Sequence, residues 1–382
     1  MKRKVRIMQE KEIVSINGPV ILAKGPGDFA MHDIVYIGKE NILGEVIKLK
    51  QDVATIQVYE NTTGLKIREK VVGGNEQLSA ILGPGIIGNI FDGIERPLKT
   101  LKEQTGDFIT RGVSAIGVDT DKLWHFIPKV AVGEKVELNT IVGEVKETEL
   151  ITNRIMNKFD VIGTVEEIAQ EGDYKVTDTI AKIRVDEEIL ELNMLQKWPV
   201  RVPRSYKKRL MITEPLITGQ RVIDSIFPIG KGGTAMIPGG FGTGKTVTQH
   251  QLAKWSDCDI IVYIGCGERG NEMTEVLEDF PKLIDPKSNR PLMERTVLIA
   301  NTSNMPVAAR ETSIYTGITI AEYYRDMGYD VAIMADSTSR WAEALREISG
   351  RLEEMPAEEG FPSYLPSRLS EFYGRARNGR KF

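Results

Sequence analysis

The sequence predicts a multidomain protein in which an N-terminal β-barrel and an inserted small β domain precede an α/β P-loop domain with a parallel sheet. Short alternating apolar runs fill the first part of the chain and recur between residues 114 and 190. Beyond residue 214, strand patterns alternate with helical ones. Within that part, the segment GGFGTGKT has the G-x-x-x-x-G-K-[ST] spacing of a phosphate-binding loop.

The composition limits the class of protein. A chain of 382 residues, 41% of them hydrophobic, is long enough for two or three domains. A net charge of −4 argues against a general binder of nucleic acid or anionic membranes, so we expect no nucleic-acid partner. The only cysteines are Cys258 and Cys266, which fits a reducing cytoplasm, and the three histidines lack metal-ligand spacing.

Hydropathy gives no sign of a membrane segment. No run approaches the roughly eighteen apolar residues of a spanning helix, and the N-terminus turns acidic where a signal peptide would be apolar. We therefore expect any association with a membrane to go through partner proteins.

Residues 1–80 are assigned to the first β domain, a small barrel or sandwich, with the barrel preferred. Its apolar runs are short and are separated by Gly, Asn and Asp: 13–16, 34–37, 45–48 and 53–58. Residues 81–113 form a connecting segment, in which the glycines and prolines of 83–98 predict a fixed loop.

Residues 114–190 predict a second, inserted β domain, because short β-like runs again alternate with turn residues. These runs are 130–132, 135–138, 141–145 and 162–165. The proline-containing stretch 196–205 returns the chain to the last domain, residues 191–382.

The alternation within residues 191–382 predicts a parallel sheet covered by helices on both faces, with ligands at the carboxyl ends of the strands. The predicted strands are 235–238, 259–264, 297–300 and 331–335. The predicted helices are 246–255, 273–280, 307–327 and 339–348.

The phosphate-binding loop predicts a site for ATP or ADP with Mg²⁺. Glycines let the backbone approach phosphate oxygens, and the following helix directs its positive dipole end toward them. Lys245 is expected to reach the β- and γ-phosphates, and the Thr246 hydroxyl to complete the Mg²⁺ shell. The nucleotide-binding residues are Gly239, Gly240, Phe241, Gly242, Thr243, Gly244, Lys245 and Thr246.

Acidic and basic residues follow two of the predicted strands. Glu268 is the candidate base that activates water, with Glu272 as the rival carboxylate and a helix-terminal carboxylate as the alternative interpretation. Arg269 either stabilises the departing phosphate or forms a surface ion pair. Asp336 is the candidate Mg²⁺ ligand, with helix capping as the alternative; Arg340 either orients this acid or the phosphates, or is structural.

Taken together, GGFGTGKT, IGCGERGNEM and MADSTSRWAEALREISGRL resemble the catalytic A subunit of V-type and A-type rotary ATPases over almost the whole chain. The resemblance implies a RecA-like core in which Lys245 and Thr246 bind phosphate and Mg²⁺, Glu268 activates water, Arg269 senses the γ-phosphate and Asp336 holds the metal. It also implies that Phe361 packs near the adenine.

The resemblance further implies a hexamer that alternates A with a non-catalytic B subunit, whose arginine completes each site in trans. Central and peripheral stalk subunits and a membrane rotor sector would couple ATP turnover to H⁺ or Na⁺ transport, on the cytoplasmic side of the membrane. The family continues beyond the point where this chain stops at Phe382. We therefore expect a truncated product that binds nucleotide weakly and transmits no torque.

Two other functions stay open. One is a subunit that binds nucleotide without turnover, which the presence of both Lys245 and Glu268 disfavours. The other is a different RecA-like hexameric motor, either a secretion ATPase or an RNA helicase. The 114–190 insertion and the lack of a basic, aromatic nucleic-acid surface disfavour this alternative.

Overall fold

A computed structural model describes residues 10–26, 28–106, 109–206, 208–240, 242–377 and 379–380. The start of the predicted barrel domain, residues 1–9, and the loop residue Phe241 lie outside the described residues.

The first β domain is a closed antiparallel barrel with the strand order β1-β2-β5-β4-β3-β6, which confirms the predicted barrel. Side chains alternate between its interior and solvent, and Ile13, Ile21, Val35 and Ile56 are among those that fill the interior. The strands are β1 (Glu10–Asn17), β2 (Val20–Lys24), β3 (Asp33–Ile37), β4 (Ile42–Lys50), β5 (Val53–Val58) and β6 (Lys70–Gln77).

The connecting segment contributes structure that the sequence pattern did not predict. It contains the second half of β7 (Ser79–Leu82), all of β8 (Ile90–Phe91) and helix α1 (Leu98–Thr105). β8 pairs in parallel with a strand of the last domain, Ile90 opposite Leu298 and Phe91 opposite Ile299. The prediction of a fixed loop over 83–98 was wrong at β8, because a two-residue strand leaves no alternating pattern and its partner lies some 200 residues away.

The inserted region contains two four-stranded antiparallel sheets, ordered β10-β13-β15-β16 and β12-β11-β9-β14, which confirms a second β domain. Alternate residues such as Phe126, Val142 and Ile183 are buried between them. The strands are β9 (Leu123–Pro128), β10 (Lys135–Val136), β11 (Ile141–Lys146), β12 (Thr152–Met156), β13 (Gly163–Ile168), β14 (Gly172–Lys175), β15 (Ala181–Val185) and β16 (Glu188–Leu192).

The last part of the chain alternates strands and helices as predicted. Its elements are β17 (Gln196–Pro199), which pairs with β7, then β18 (Lys208–Arg209), β19 (Pro215–Leu216), α2 (Arg221–Ile226), β20 (Ile229–Gly230), α3 (Lys245–Trp255), β21 (Ile260–Glu268), α4 (Gly270–Asp279), β22 (Thr296–Thr302), α5 (Val307–Met327), β23 (Val331–Asp336), α6 (Thr338–Arg351), α7 (Leu365–Gly374) and β24 (Gly379–Arg380). Short 3₁₀ turns occupy Phe280–Lys282, Leu292–Arg295 and Glu358–Gly360.

A parallel sheet ordered β23-β21-β22-β8 forms the centre of this domain. Alternate residues of β21 face opposite sides: Ile260, Val262 and Ile264 share a core with α5 and α6. Ile261 and Tyr263 share the other core with α3 and α4. Both faces are therefore covered, which explains the continuous apolar runs of these strands.

Helix α5 has the predicted bounds. It starts after Pro306 and ends at Met327, before Gly328, whose φ of 109° suits glycine. It is buried around almost its whole circumference and holds the sheet against the barrel and the inserted domain. Among the described residues, no helix combines the length and the apolarity needed to cross a bilayer.

The predicted strand before the phosphate-binding loop is not formed. Residues 234–238 have no regular structure, and Met236 is 66% exposed. Lys231 Nζ lies 2.7 Å from Asp330 Oδ2, just before the start of β23, but residues 234–238 form no ladder with β23. Because β23 is the edge strand of the sheet, an alternating pattern and a nearby strand edge are not by themselves sufficient to produce a strand here.

Candidate active site

The phosphate-binding loop leads directly into helix α3, as expected. Gly244 caps this helix with φ 84° and ψ 19°, a left-handed conformation that glycine adopts without strain. Gly242 also has a positive φ, 76°. Since the first backbone N–H groups of a helix have no partner within it, those of α3 are available to an anion held by the loop.

The Lys245 side chain folds back over the loop. Its ammonium donates to the carbonyl oxygens of Gly239, at 2.6 Å, and Gly240, at 2.7 Å. The Thr243 hydroxyl also donates to the Gly240 carbonyl, at 2.9 Å. These hydrogen bonds tie the loop backbone to the Lys245 ammonium, which supplies a positive charge within the loop.

Thr246 forms a hydrogen bond with Asp336, the predicted metal-binding acid. Its Oγ1 donates to Asp336 Oδ2 at 2.7 Å, and the Tyr263 hydroxyl lies 3.3 Å from the same oxygen. Asp336 ends β23 and is only 2% exposed. A hydroxyl and a buried carboxylate side by side are oxygen ligands of the type that Mg²⁺ prefers, so these residues fit the predicted metal.

Glu268 is the last residue of β21. The hydrogen-bonded ladder between β21 and β22 is interrupted just before this residue. The register between β21 and β22 shifts between Cys266 and Glu268, and Gly267 between them has φ 74°. A Cβ on Gly267 would lie 2.8 Å from Arg310 Cδ and 3.0 Å from Arg340 Cβ, so both space and conformation favour glycine. The bulge lies directly before Glu268, which still pairs with Thr302 of β22.

Glu268 and Asp336 stand on neighbouring parallel strands. Gly265 of β21 pairs with Asp336 of β23, and Glu268 follows three residues later at the same carboxyl edge. The structure therefore brings the loop, the metal-binding candidate and the candidate base to one edge of the sheet.

The two predicted arginines flank this edge. Arg269 precedes α4 as its N-cap residue. Arg340 lies on α6 and forms a 2.8 Å ion pair with Glu343. Its Cβ lies close to Gly267. The rival carboxylate Glu272 lies on α4, and its side chain is outside what the structure describes.

Phe361 lies on the segment after α6. Its ring packs against the guanidinium of Arg346, 4.8 Å from the ring centre. Arg346 is on the helix that follows Asp336, but an adenine-binding role of Phe361 stays a prediction.

Sequence reasoning missed Arg310 and Tyr263. Arg310 contacts the Gly267 bulge from α5, and Tyr263 contacts the metal-binding candidate. Two features of the sequence could have indicated these residues. Arg310 is an arginine in the first turn of a largely buried helix, and Tyr263 places a hydroxyl within a mostly apolar strand.

A separate open cleft of about 620 Å³ lies away from these residues. Its lining includes Arg209, Phe227, Thr234 and Tyr373, but not Lys245, Glu268 or Asp336. We therefore place the candidate active site by the convergence of chemical groups and not by cleft size.

Comparison with known proteins matches three parts of the chain to models of one family. Residues 13–73 match the beta-barrel domain of the ATP synthase alpha/beta family. Residues 115–201 match the barrel-sandwich domain of the alpha/beta chains of ATP synthase. Residues 219–381 match the nucleotide-binding domain of the same family.

Curated relatives and a solved structure agree with these matches. The chain is 65% identical to V-type ATP synthase alpha chain 2 of Clostridium tetani over 95% of its length. It is 61% identical to the V-type ATP synthase alpha chain of Halothermothrix orenii over 96% of its length. It spans 62% of the length of each of these relatives.

The ATPase EscN of the enteropathogenic E. coli type III secretion system shares the fold. The TM-score is 0.66 at 22% identity, over 97% of this chain and 67% of that one. The family models and the curated relatives agree: the chain belongs to the ATP synthase alpha/beta family.

Proposed function

We propose that this chain is the catalytic A subunit of a V/A-type rotary ATPase, which hydrolyses or synthesises ATP. The observation that carries the proposal is the convergence of Lys245, Thr246, Glu268 and Asp336 at the carboxyl edge of β21 and β23. The 57–65% identity to relatives named as alpha chains of V-type ATP synthases supports it.

The loop and its neighbours fit a nucleotide with Mg²⁺. Lys245 and the N–H groups at the start of α3 would hold the phosphates, and Thr246 with Asp336 would hold the metal. When bound, Mg²⁺ supplies positive charge that offsets the charge building up on the phosphate oxygens. Phe361 and Arg346 would line the base-binding side.

The remaining chemistry belongs to the chain's own groups. Glu268 would orient a water molecule and accept its proton, because it lies at the carboxyl edge of the sheet that also carries Asp336. Arg269 and Arg340 would offset negative charge near that water from either side. Lys245 would exchange its bonds to the loop carbonyls for bonds to phosphate oxygens.

We extend the proposal to assembly. The chain would alternate with a non-catalytic B subunit in a hexamer, receive an arginine in trans, and act on stalk subunits and a membrane rotor that carries H⁺ or Na⁺. It would work at the cytoplasmic side of the membrane, held there by the complex. Residues 1–80, 81–113, 114–190 and 191–382 are the proposed barrel, connecting, inserted and nucleotide-binding regions.

The alternatives predict different behaviour. A non-catalytic nucleotide-binding protein has no use for a base at the end of β21, and the likeness to EscN concerns the fold alone. Stimulation of ATP turnover by RNA would favour the helicase interpretation instead.

The test is the substitution Glu268→Gln, with Glu278→Gln on the exposed side of α4 as the matched control. ATP turnover and nucleotide affinity are measured for the chain alone and for the chain assembled with its B-type partner. We expect Glu268→Gln to lower turnover about 100-fold or more while nucleotide affinity changes little, because general-base catalysis contributes roughly 10² to 10⁴ in rate. Unchanged turnover would overturn the role of Glu268, and nucleotide binding without turnover in the unaltered protein would favour the non-catalytic alternative.

A further inference from the structure

The turn that follows β22 holds the backbone of Glu268. The Ser303 N–H donates to the Glu268 carbonyl oxygen at 2.8 Å, just beyond the last pair of the ladder, Glu268 opposite Thr302. The position of Ser303 therefore helps to fix the backbone from which the candidate base projects.

Arg310 holds this turn from the other side. Its Nη2 donates to the Ser303 carbonyl oxygen at 2.6 Å. Arg310 thus lies at the start of a two-step hydrogen-bonded connection through Ser303 to Glu268.

Arg310 also contacts the bulge directly. The position that a Cβ would take on Gly267 is 2.8 Å from Arg310 Cδ and 3.1 Å from its Nε. That Nε is buried and has no hydrogen-bond partner among the described residues. The aliphatic part of Arg310 therefore lies against Gly267 and supports the bulge.

The backbone of Arg310 holds the residue before the bulge. Cys266 Sγ lies 3.5 Å from the Arg310 carbonyl oxygen, which also accepts a 2.8 Å bond from the Ser313 hydroxyl. Residues 266–268 are therefore held at three points by Arg310 and the turn that it stabilises.

The start of α5 is itself anchored. Glu311, the next residue, bonds to the Arg201 guanidinium at 2.7 and 3.0 Å, and Arg201 bonds to Glu45 of the barrel. Trp341 of α6 donates to the Glu311 carbonyl oxygen at 3.0 Å. The support behind Arg310 is consequently rigid.

We infer that Arg310 is a positioning residue for Glu268: through Ser303 and Gly267 it fixes the backbone from which the side chain of the candidate base projects. This inference rests on the proposed function. The inference goes beyond the proposed function because Arg310 acts through the β22–α5 turn and not through the phosphate-binding loop.

The first test compares Arg310→Met and Arg310→Lys, with Arg325→Met on the same helix as the matched control. Methionine keeps apolar contact with Gly267 but cannot donate to Ser303, whereas lysine can. We expect Arg310→Met to lower kcat about 10- to 100-fold with KM and nucleotide affinity within about two-fold, since a small misplacement of a catalytic group can cost as much as 10²-fold. Arg310→Lys should recover most of the loss, and Arg325→Met should behave as the unaltered protein.

The second test combines Arg310→Met with Glu268→Gln and follows the slow residual hydrolysis with radiolabelled ATP. A residue that acts through Glu268 adds nothing further once that carboxylate is gone, whereas a general structural defect lowers the residual rate again. We expect the double variant to equal Glu268→Gln alone.

Additive losses, or a kcat unchanged in Arg310→Met while Glu268→Gln is inactive, would overturn the inference and leave the proposed function standing. Full turnover in Glu268→Gln would overturn both this inference and the proposed catalytic role of Glu268.

Discussion

Thr246 Oγ1 lies 2.7 Å from Asp336 Oδ2, although the two residues are 90 positions apart in the chain. This contact joins the first turn of α3, which follows the phosphate-binding loop, to the buried carboxylate at the end of β23. Either residue alone has an ordinary structural interpretation, as a helix residue or a cap. Together they form a pair of oxygen ligands at the edge where the phosphate-binding loop opens.

The Thr246 hydroxyl should control the response to Mg²⁺. Thr246→Val keeps the shape but removes the oxygen, and Thr246→Ser keeps it. We expect the increase in nucleotide affinity that Mg²⁺ produces to be about ten-fold smaller in Thr246→Val, a difference of about 1.4 kcal/mol in binding free energy. In Thr246→Ser this increase should be retained. Titrating a fluorescent nucleotide with and without EDTA measures this gain; equal gains in both variants would argue against a metal role.

Gly244 should resist substitution although its surroundings are open. A Cβ there has nothing within 4 Å, yet φ is 84°, and holding a non-glycine residue in that conformation costs about 1–2 kcal/mol. Gly240 is equally open, and its φ is not among the positive values. We expect Gly244→Ala to weaken nucleotide binding about 5- to 30-fold and Gly240→Ala to have little effect, as measured by the same titration. Equal losses in the two variants would show that φ at residue 244 is not the cause.

Arg201 should be important for stability, because it forms ion pairs with two buried carboxylates, Glu45 and Glu311. Burial alone would raise the pKa of Glu45, but the Arg201 charge and hydrogen bonds hold that pKa well below its usual range. We expect Arg201→Met to lower the free energy of unfolding by about 3–5 kcal/mol in urea titrations.

The matched control for Arg201 is Arg184→Met, which breaks an exposed pair with Glu166 and should cost at most about 1 kcal/mol. Similar losses in the two variants would contradict the importance of burial.

Glu95 should make stability depend on pH near neutrality. Burial raises the pKa of Glu95 to about 8, against a hydrogen bond from the Ile81 N–H that favours the charged form. Between the unfolded value near 4.5 and about 8, the folded state keeps a proton that the unfolded state has lost, so stability falls as pH rises.

Glu95→Gln removes this titration while leaving an oxygen for the Ile81 N–H. We expect a change in slope of up to about 1.4 kcal/mol per pH unit between about pH 5 and 8, with the variant relatively more stable at the upper end. Urea titrations across that range measure it. An unchanged slope would show that Glu95 does not titrate there.

The sequence by itself determined the class of each domain and most of the nucleotide-binding candidates. The barrel and inserted domain follow from period-two runs, and α5 has its predicted bounds because Pro306 and Gly328 mark its ends locally. Gly239, Gly244, Lys245 and Thr246 were identified because their order along the chain is itself the requirement for phosphate binding.

Only the tertiary structure decided the features that depend on distant partners. Residues 234–238 carry a strand pattern but form no strand, because they pair with no edge of a described strand, including that of β23. Ile90 and Phe91 form one because β22 offers such an edge. Arg310 was missed for the same reason: its relation to Glu268 depends on a close approach of α5 to a bulge, which no spacing in the sequence encodes.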